Sequence, residues 1–556
     1  MRDPWLAASL LAAAALRLYG LGHGLPFVYN PDEANIMARA LSVAQDPNPH
    51  YFLYPSLFFY LLFVVMGGLF LAGRLLGYYP SLKAFETSFF SDPTAFYMVG
   101  RVLGVGFALA TILVTYHLAC RHFGRTTARA AALFLAVAYF HVRDSHYLKH
   151  DVPVTLLIVL ALVAFDRVME NRSFRSYVVT GIAMGIAFAM HYYTIFLAPA
   201  FVLCHAMVAK RQSWGRVLVA GLVSAVTFFL LSPFVVLDLP VALEHLKANR
   251  LVVVDRSLDA GALVFPSLPA YVRFLAEQGL GYVLVALMAA GWILMARRDK
   301  RRFVLWGGFT FFFIPFISYT FFAGRYLNPA LPSLAVAAGL AVGVLRERFG
   351  PVLAAVAAVA ASLQPLYGSL QVDRLFDGQD TRTLARQWIL ENVPDGESLA
   401  LQSYSVPLPQ SADSLKESLS ANGALDELER LGKFSHLAAI AEQSKPSYHV
   451  FFMGRGDEKN RIYFDYRETA EKRLQPLRDR GVSYVALRYP AATPPPEVAA
   501  FIDAVIIEGR LLGRFSPFRG DGAGLRPYLD NEDWAASRAL AHKGPLVELW
   551  SLDKDD

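Results

Sequence analysis

This sequence is poor in cysteine and poor in charge. Among 556 residues there are only two cysteines, Cys120 and Cys204, both near the ends of apolar runs, which excludes a disulfide framework and a thiolate metal site. Asp, Glu, Lys and Arg together supply only 18% of the residues against 55% hydrophobic ones, and that balance excludes an ordinary soluble protein of this length. The formal net charge of +6 does not point to nucleic acid, because the basic residues fall in short clusters between apolar segments. What remains is a polytopic α-helical membrane protein. Its aromatic residues, 13% of the chain, gather near the ends of the apolar runs, where rings sit at the headgroup level.

Apolar segments recur at about 4–22, 53–76, 97–119, 130–142, 152–169, 177–209, 217–237, 279–296, 303–322, 326–345 and 351–369. Arg17 interrupts the first, and no small-residue cleavage site follows it, so the reading is a retained anchor rather than a signal peptide. Beyond residue 370 the charge density becomes ordinary. Helix-like and strand-like runs ("DTRTLARQWILENV", "GVSYVALRYP", "GPLVELWSL") and a Pro-rich break, "PAATPPP", predict a soluble α/β domain. The expected domains are therefore a transmembrane part over 1–370 and a soluble part over 371–556.

Basic residues in short loops stay on the cytoplasmic side. The clusters at 121–129, 170–176, 209–216, 296–302 and 346–350 should all lie inside. Loops 23–52, 143–151, the region of residue 191, 238–277, 323–326 and the C-terminal domain then face out. Loops 23–52 and 143–151 share a side only if an even number of crossings separates them, yet three apolar segments intervene. The weakest is 53–76, with "YPS" at its start and Gly67, Gly68 and Gly73 inside, so it is expected to lie along or re-enter the outer face. The segment 177–209 is too long for one helix and holds polar "HYYT", so two short helices are expected. The first would rise only ~21 Å, leaving His191 at the floor of an outer cavity. The count is then eleven crossings, with the N-terminus inside.

Two outer loops carry ionisable groups where the membrane begins. In "NPDEANIMARAL", Asn30 suits an N-cap, Pro31 the first helical position, and Asp32 and Glu33 the first turn, so helix capping alone accounts for every residue. The second loop, "VRDSHYLKHDVPV", adds Arg143, Asp144, His146, Lys149, His150 and Asp151. It reads either as a collar of snorkelling side chains or as the other half of a site, since ionisable groups at membrane depth are costly. His146 and His150, at i and i+4, would share a helical face and suit a divalent metal beside Asp151. Tyr147, however, stands where a metallohydrolase has its Glu, and no resident metal or other cofactor is assigned. Arg325, in "FFAGRYLNPALP", either holds phosphate oxygens or anchors the interface beside Tyr326. His191, Tyr192 and Tyr193 are partners for a polar ligand or members of an aromatic belt. "EHLKANR" (244–250) reads as a solvated amphipathic helix on the membrane surface.

In their order and spacing, "PDEANIMARAL" after the first span, "DPNPHYFLYPSLFFYLL" (46–62), "SHYLKHDVPVT" (145–155), "GIAMGIAFAMHYY" (181–193) and "GRYLNPALP" (324–332) resemble the GT-C superfamily of glycosyltransferases. The resemblance is to bacterial relatives of the protein O-mannosyltransferases and of the lipid A aminoarabinose transferase, and covers roughly residues 4–345. It implies an outward-facing site, a polyprenyl-phosphate-linked sugar as donor, inversion at the anomeric carbon, and a lipid, glycan or protein acceptor at the outer face of a bacterial inner membrane. Carried over residue by residue, it makes Asp32 the catalytic acidic residue, with Glu33 beside it and Asp151 at the second acidic position. His146, Lys149, His150, His191, Tyr192, Arg325 and Tyr326 become candidates for the donor phosphate or substrate. Two positions depart from the pattern. His191 stands where some relatives have Lys, and "LYPS" (53–56) replaces a "KPP" or "HPP", so its cationic contact is missing. An oligosaccharyltransferase is disfavoured because no two tryptophans are adjacent. The alternative from another class is a transporter or lipid flippase, which also needs many spans and intramembrane charges.

Overall fold

The computed structural model describes residues 3–209, 214–250, 265–421, 423–430, 432–454, 463–489, 494–520 and 539–552. Residues 210–213 of one basic loop, 251–264 of the long outer loop and 490–493 of the Pro-rich break lie outside the described residues. Two compact units are present. One comprises Met1–Leu21, Pro31–Leu71 and Phe96–Asp373; the other comprises Gly22–Asn30, Ala72–Ala95 and Arg374–Asp556.

The first unit is helical. Its elements begin with α1 (Pro4–Leu18), α2 (Pro31–Ser42), α3 (Leu57–Leu75), α4 (Leu82–Ser91, grouped with the other unit), α5 (Thr94–Val137), α6 (Tyr139–Asp144), α7 (Asp151–Asn171) and α8 (Phe174–Met190). They continue through a 3₁₀ turn (Tyr192–Phe196), α9 (Leu197–Ala206), α10 (Trp214–Leu231), α11 (Tyr282–Arg298) and α12 (Lys300–Tyr319). A second 3₁₀ segment (Gly324–Ala330), α13 (Leu331–Phe349) and α14 (Pro351–Asp377) complete it. Among the described residues seven helices are long and apolar enough to cross a membrane, and three shorter apolar ones accompany them. Every expected segment is largely helical, with 97–119 inside α5, 130–142 divided between α5 and α6, and 177–209 divided between α8 and α9.

Polar side chains set the helix ends. Asp3 accepts the Trp5 amide at the start of α1, Ser173 the Ser176 amide at the start of α8, and Asp299 the amides of Arg301 and Arg302 at the start of α12. Gly124, with φ of 82°, breaks α5 within the expected basic loop, a backbone geometry that side-chain-bearing residues rarely adopt. The two limbs fold back on each other: Asp3 takes the Tyr116 hydroxyl from one at 2.5 Å and Arg129 from the other at 2.9 Å. Small residues let the helices approach closely. A Cβ at Gly181 would lie 2.5 Å from the Ala220 carbonyl oxygen, and one at Gly339 would lie 2.5 Å from that of Thr127. Arg17, fully buried, donates to the carbonyls of Ala13, Leu135 and Ala136 and to His141 Nδ1.

The basic loops gather at one end of this unit. Arg346 donates to Thr126 at 2.6 Å, Arg298 pairs with Glu347 at 3.2 Å, Arg121 pairs with Glu170, and Arg172 reaches the Val208 carbonyl at 3.2 Å. Loops of the alternate set meet at the other end, where the candidate site lies. Helix α3 is unbroken and satisfies the length and apolarity of a span, so it is not a re-entrant hairpin. A single traverse by α3 would nevertheless separate Glu33 from Arg101, which are in direct contact. The only helix between α3 and α5 is the ten-residue α4, with no apolar run of crossing length. A helix α3 that begins and ends on one face would allow that contact. The chain also breaks at His191, whose backbone is extended between α8 and the 3₁₀ turn, because "HYYT" offers no apolar continuation.

The second unit is an α/β fold around a six-stranded sheet of order β3-β2-β1-β4-β6-β5. Its strands are β1 (Ser398–Gln402), β2 (His449–Gly454), β3 (Phe464–Asp465), β4 (Tyr484–Arg488), β5 (Arg510–Phe515) and β6 (Val547–Ser551). Strands β1 to β4 are parallel, whereas β6 runs antiparallel to β4 and β5 to β6. The three runs read as helix, strand and strand form helix Thr381–Asn392, β4 and β6. A boundary at residue 370 falls inside α14, which continues to Asp377: the change in composition marks the end of an apolar run, not of the helix. The short segment Gly22–Asn30 is bound within this unit by Tyr29, whose hydroxyl lies 2.7 Å from Thr383 Oγ1 and whose ring lies beneath Arg382 at 3.9 Å.

Candidate active site

The charged groups of the site come from three chain segments, the start of α2, the stretch 145–151 between α6 and α7, and the 3₁₀ segment Gly324–Ala330. Adjacent carboxylates in α2 take opposite roles. Glu33 is completely buried and accepts Arg101 Nε at 2.9 Å, Arg101 Nη2 at 2.8 Å and the Leu148 amide at 2.8 Å. Arg101 is itself 1% exposed and also donates to the Leu21 carbonyl at 2.7 Å. Both oxygens of Glu33 are thus consumed, which corrects the catalytic role considered for it: it fixes the 145–151 stretch to α2 and α5.

Asp32, on the neighbouring face of the same turn, stays 43% exposed in its side chain and lies 2.9 Å from Lys149 Nζ. A half-exposed pair of this kind adds little stability. Its effect is on ionisation: the Lys149 ammonium holds the Asp32 carboxyl below the ordinary carboxylate range, burial opposes it, and Arg325 adds to the lowering. Asp151 is buried at the first position of α7, within the fields of Arg325, Lys149 and Asp32. Arg325 stands beside the Tyr326 ring at 5.3 Å. Its segment is tied to the loop by Asn328, which donates to Asp144 Oδ2 at 2.7 Å, while Arg143 Nε donates to Asp144 Oδ1 at 2.8 Å.

Aromatic rings floor the site. Tyr54 stacks on His150 with centroids 4.4 Å apart and planes at 15°, and meets His191 edge-on at 5.3 Å. Phe58 and Phe59 enclose the other sides of His150. His191 stacks on Tyr193 at 3.7 Å. His150 Nε2 and Tyr193 Oη are buried and have no hydrogen-bond partner among the described residues. Buried polar atoms are rarely left so.

Two other expectations are corrected. Helix α6 ends at Asp144 and α7 begins at Asp151, so His146 and His150 do not share a helical face and form no metal pair. Both His146 nitrogens instead face backbone carbonyls, Val142 at 2.9 Å and Tyr19 at 2.8 Å, and the ring is fully buried, beyond the reach of a substrate. The Tyr192 hydroxyl donates to the Phe52 carbonyl at 3.2 Å and so holds the loop that carries Tyr54. The structure thus brings Asp32, Lys149, His150, Asp151, His191 and Arg325 together and assigns Glu33, His146 and Tyr192 to the framework. Sequence reasoning missed Arg101, Asn328 and Tyr54. Arg101 was visible as a lone charge within "FYMVGRVLGVG", a costly placement that demands a partner.

Residues 85–237 match a family model described as dolichyl-phosphate-mannose-protein mannosyltransferase. A search among curated proteins returns no significant match. Among solved structures the fold is similar to that of ArnT from Cupriavidus metallidurans bound to undecaprenyl phosphate, with a TM-score of 0.54 at 13% identity over 99% of this chain and 98% of that one. The same protein in its apo state gives 0.53 at 12% identity over 99% and 97%. The oligosaccharyltransferase of Archaeoglobus fulgidus, in complex with Zn and sulfate, gives 0.47 at 15% identity over 87% and 68%.

Proposed function

We propose that the chain, whose fold is similar to that of ArnT, is a GT-C glycosyltransferase of the inverting kind that takes its sugar from a polyprenyl-phosphate carrier. The acceptor is a hydroxyl of a lipid, glycan or protein. The site and the domain over 371–556 face the outside of a bacterial cytoplasmic membrane, with the basic loops inside.

One observation carries this reading: an accessible carboxylate, Asp32, held ionised by Lys149 at 2.9 Å, with Arg325 acting on the same point. An acceptor hydroxyl has a high pKa and needs a base as it attacks. Asp32 takes that proton while the acceptor oxygen bonds to the anomeric carbon from the face opposite the carrier. The bond from that carbon to the phosphate oxygen breaks, and its electron pair leaves on the phosphate. Negative charge developing there needs cations rather than a strong acid, and Lys149 and Arg325 supply them. No metal or other cofactor enters this scheme. His150 Nε2 and Tyr193 Oη bind sugar hydroxyls, His191 and Tyr54 wall the pocket, and Asp151 orients the cations or the sugar. The polyprenyl tail remains in the bilayer.

The test is incubation of the full-length protein, in lipid nanodiscs, with a panel of radiolabelled polyprenyl-phosphate sugars and extracted acceptor lipids, glycans and proteins. Transfer of label from at least one donor is expected, together with its loss by a factor of 10² or more in Asp32→Asn at unchanged expression. Full transfer by Asp32→Asn removes Asp32 as base. Movement of substrate across sealed vesicles without a glycosidic product would replace the enzyme by a transporter.

A further inference from the structure

At the end of the helical unit remote from the site, the first limb of α5, the end of α7 and the start of α12 surround a cavity of about 280 Å³. By the same measure one water needs about 15 Å³, so the space admits a molecular group. Arg121, Arg301, Arg302, Asp166, Glu170, Asp299 and His122 line it, with Met169 and Leu305 as the apolar wall. The charge state follows from hydrogen bonding. Trp306 Nε1 can only donate, and it lies 3.1 Å from His122 Nδ1. His122 therefore carries its proton on Nε2 and donates to Asp166 Oδ1 at 3.0 Å. Three guanidinium groups then face three carboxylates, and the lining is neutral overall.

The internal pairing is incomplete. Arg121 pairs with Glu170, and Arg302 donates through Nη1 to the His122 carbonyl and lies 3.4 Å from Asp299, whose other oxygen caps α12. Asp166 is 7% exposed, and its Oδ2, 3.3 Å from Arg121, has no hydrogen bond among the described residues. Arg301 has no carboxylate partner among the described residues, and its side chain is exposed. A simple anion entering here would also meet three carboxylates, and a simple cation three guanidiniums. A group with both charges satisfies both sets. Because the cavity opens where spanning helices end, at the headgroup level, the nearest source of such a group is the bilayer.

We propose that this cavity binds the head group of a zwitterionic phospholipid with a phosphate and a primary ammonium. The phosphate meets Arg301 and Arg302, and the ammonium donates to Asp166 Oδ2 and Glu170. The binding is separate from sugar transfer and is measured without it.

The full-length protein, delipidated in detergent, is titrated with phosphatidylethanolamine, phosphatidylcholine, phosphatidylglycerol and soluble glycerophosphoethanolamine, following the thermal midpoint and lipid retention by native mass spectrometry. Phosphatidylethanolamine should raise the midpoint and be retained. Phosphatidylcholine, whose ammonium cannot donate, should bind about tenfold more weakly, and so should phosphatidylethanolamine on Asp166→Asn. Arg301→Gln, a change at an exposed side chain that leaves the packing intact, should weaken phosphatidylethanolamine by about the same factor. Equal or tighter binding of phosphatidylglycerol, or an unchanged affinity in Arg301→Gln, overturns the assignment. Equally tight binding of glycerophosphoethanolamine overturns the lipid source.

Discussion

Removing Arg101 tests whether the site rests on a dry ion pair. In Arg101→Leu, Glu33 keeps only the Leu148 amide as a partner and remains completely buried. Breaking one side of a buried pair costs about 3–5 kcal/mol, because the surviving charge has lost its compensation. For a helical unit of this size that corresponds to a fall of about 5 °C in the thermal midpoint. The double variant Glu33→Leu, Arg101→Leu removes both charges; it strands the Leu21 carbonyl, as the single variant does, and adds only the stranded Leu148 amide, a further cost of about 1–3 kcal/mol. It should therefore be more stable than Arg101→Leu while remaining poorly active, since Lys149 follows Leu148 and loses its anchor. Thermal unfolding in detergent, read by intrinsic fluorescence, measures all variants in a double-mutant cycle. A midpoint for Arg101→Leu within about 1 °C of the parent would mean that water reaches the pair, and the reasoning fails.

Lys149→Gln should shift the acid limb of the kcat/KM profile to higher pH. Only ionised Asp32 serves as base, so activity is lost as pH falls through its folded pKa, and Lys149 holds that pKa down; an unmoved limb would separate Asp32 from the profile. Asn328→Leu removes the 2.7 Å donor to Asp144 Oδ2 and leaves that carboxylate to Arg143 alone, which should lower stability by about 1–3 kcal/mol and raise the KM for the lipid-phosphate donor through a displaced Arg325. Unchanged KM and midpoint would refute that link. Tyr54→Phe should retain activity and Tyr54→Ala lose it several-fold, as the stack on His150 is worth about 0.5–1.5 kcal/mol beyond burial. Equal loss in both variants would point to the hydroxyl rather than the ring.

The helical architecture was legible because apolar runs and basic loops follow directly from the bilayer. The break at His191 was legible too, since four polar or aromatic residues interrupt a run too long for one helix. The division of labour between Asp32 and Glu33 was not. Neighbours in one turn look alike in sequence, and which one turns inward is decided by Arg101, 68 residues away. Spacing misled at His146 and His150 because i, i+4 places residues together only if the helix continues, and the backbone leaves α-geometry between Asp144 and Asp151. The end of α14 was misplaced for a related reason: composition reports the surroundings of a segment, whereas helix termination is set by the backbone.

Arg17 has a consequence for biogenesis. Helix α1, at 15 residues with a guanidinium in its last turn, is a poor solitary insert. The carbonyl that receives Arg17 Nη1 most closely belongs to Ala136, translated 119 residues later. Until then the guanidinium has to remain in water at the membrane surface. The final depth of α1 therefore depends on the second limb of α5, which supplies the carbonyls that receive its guanidinium.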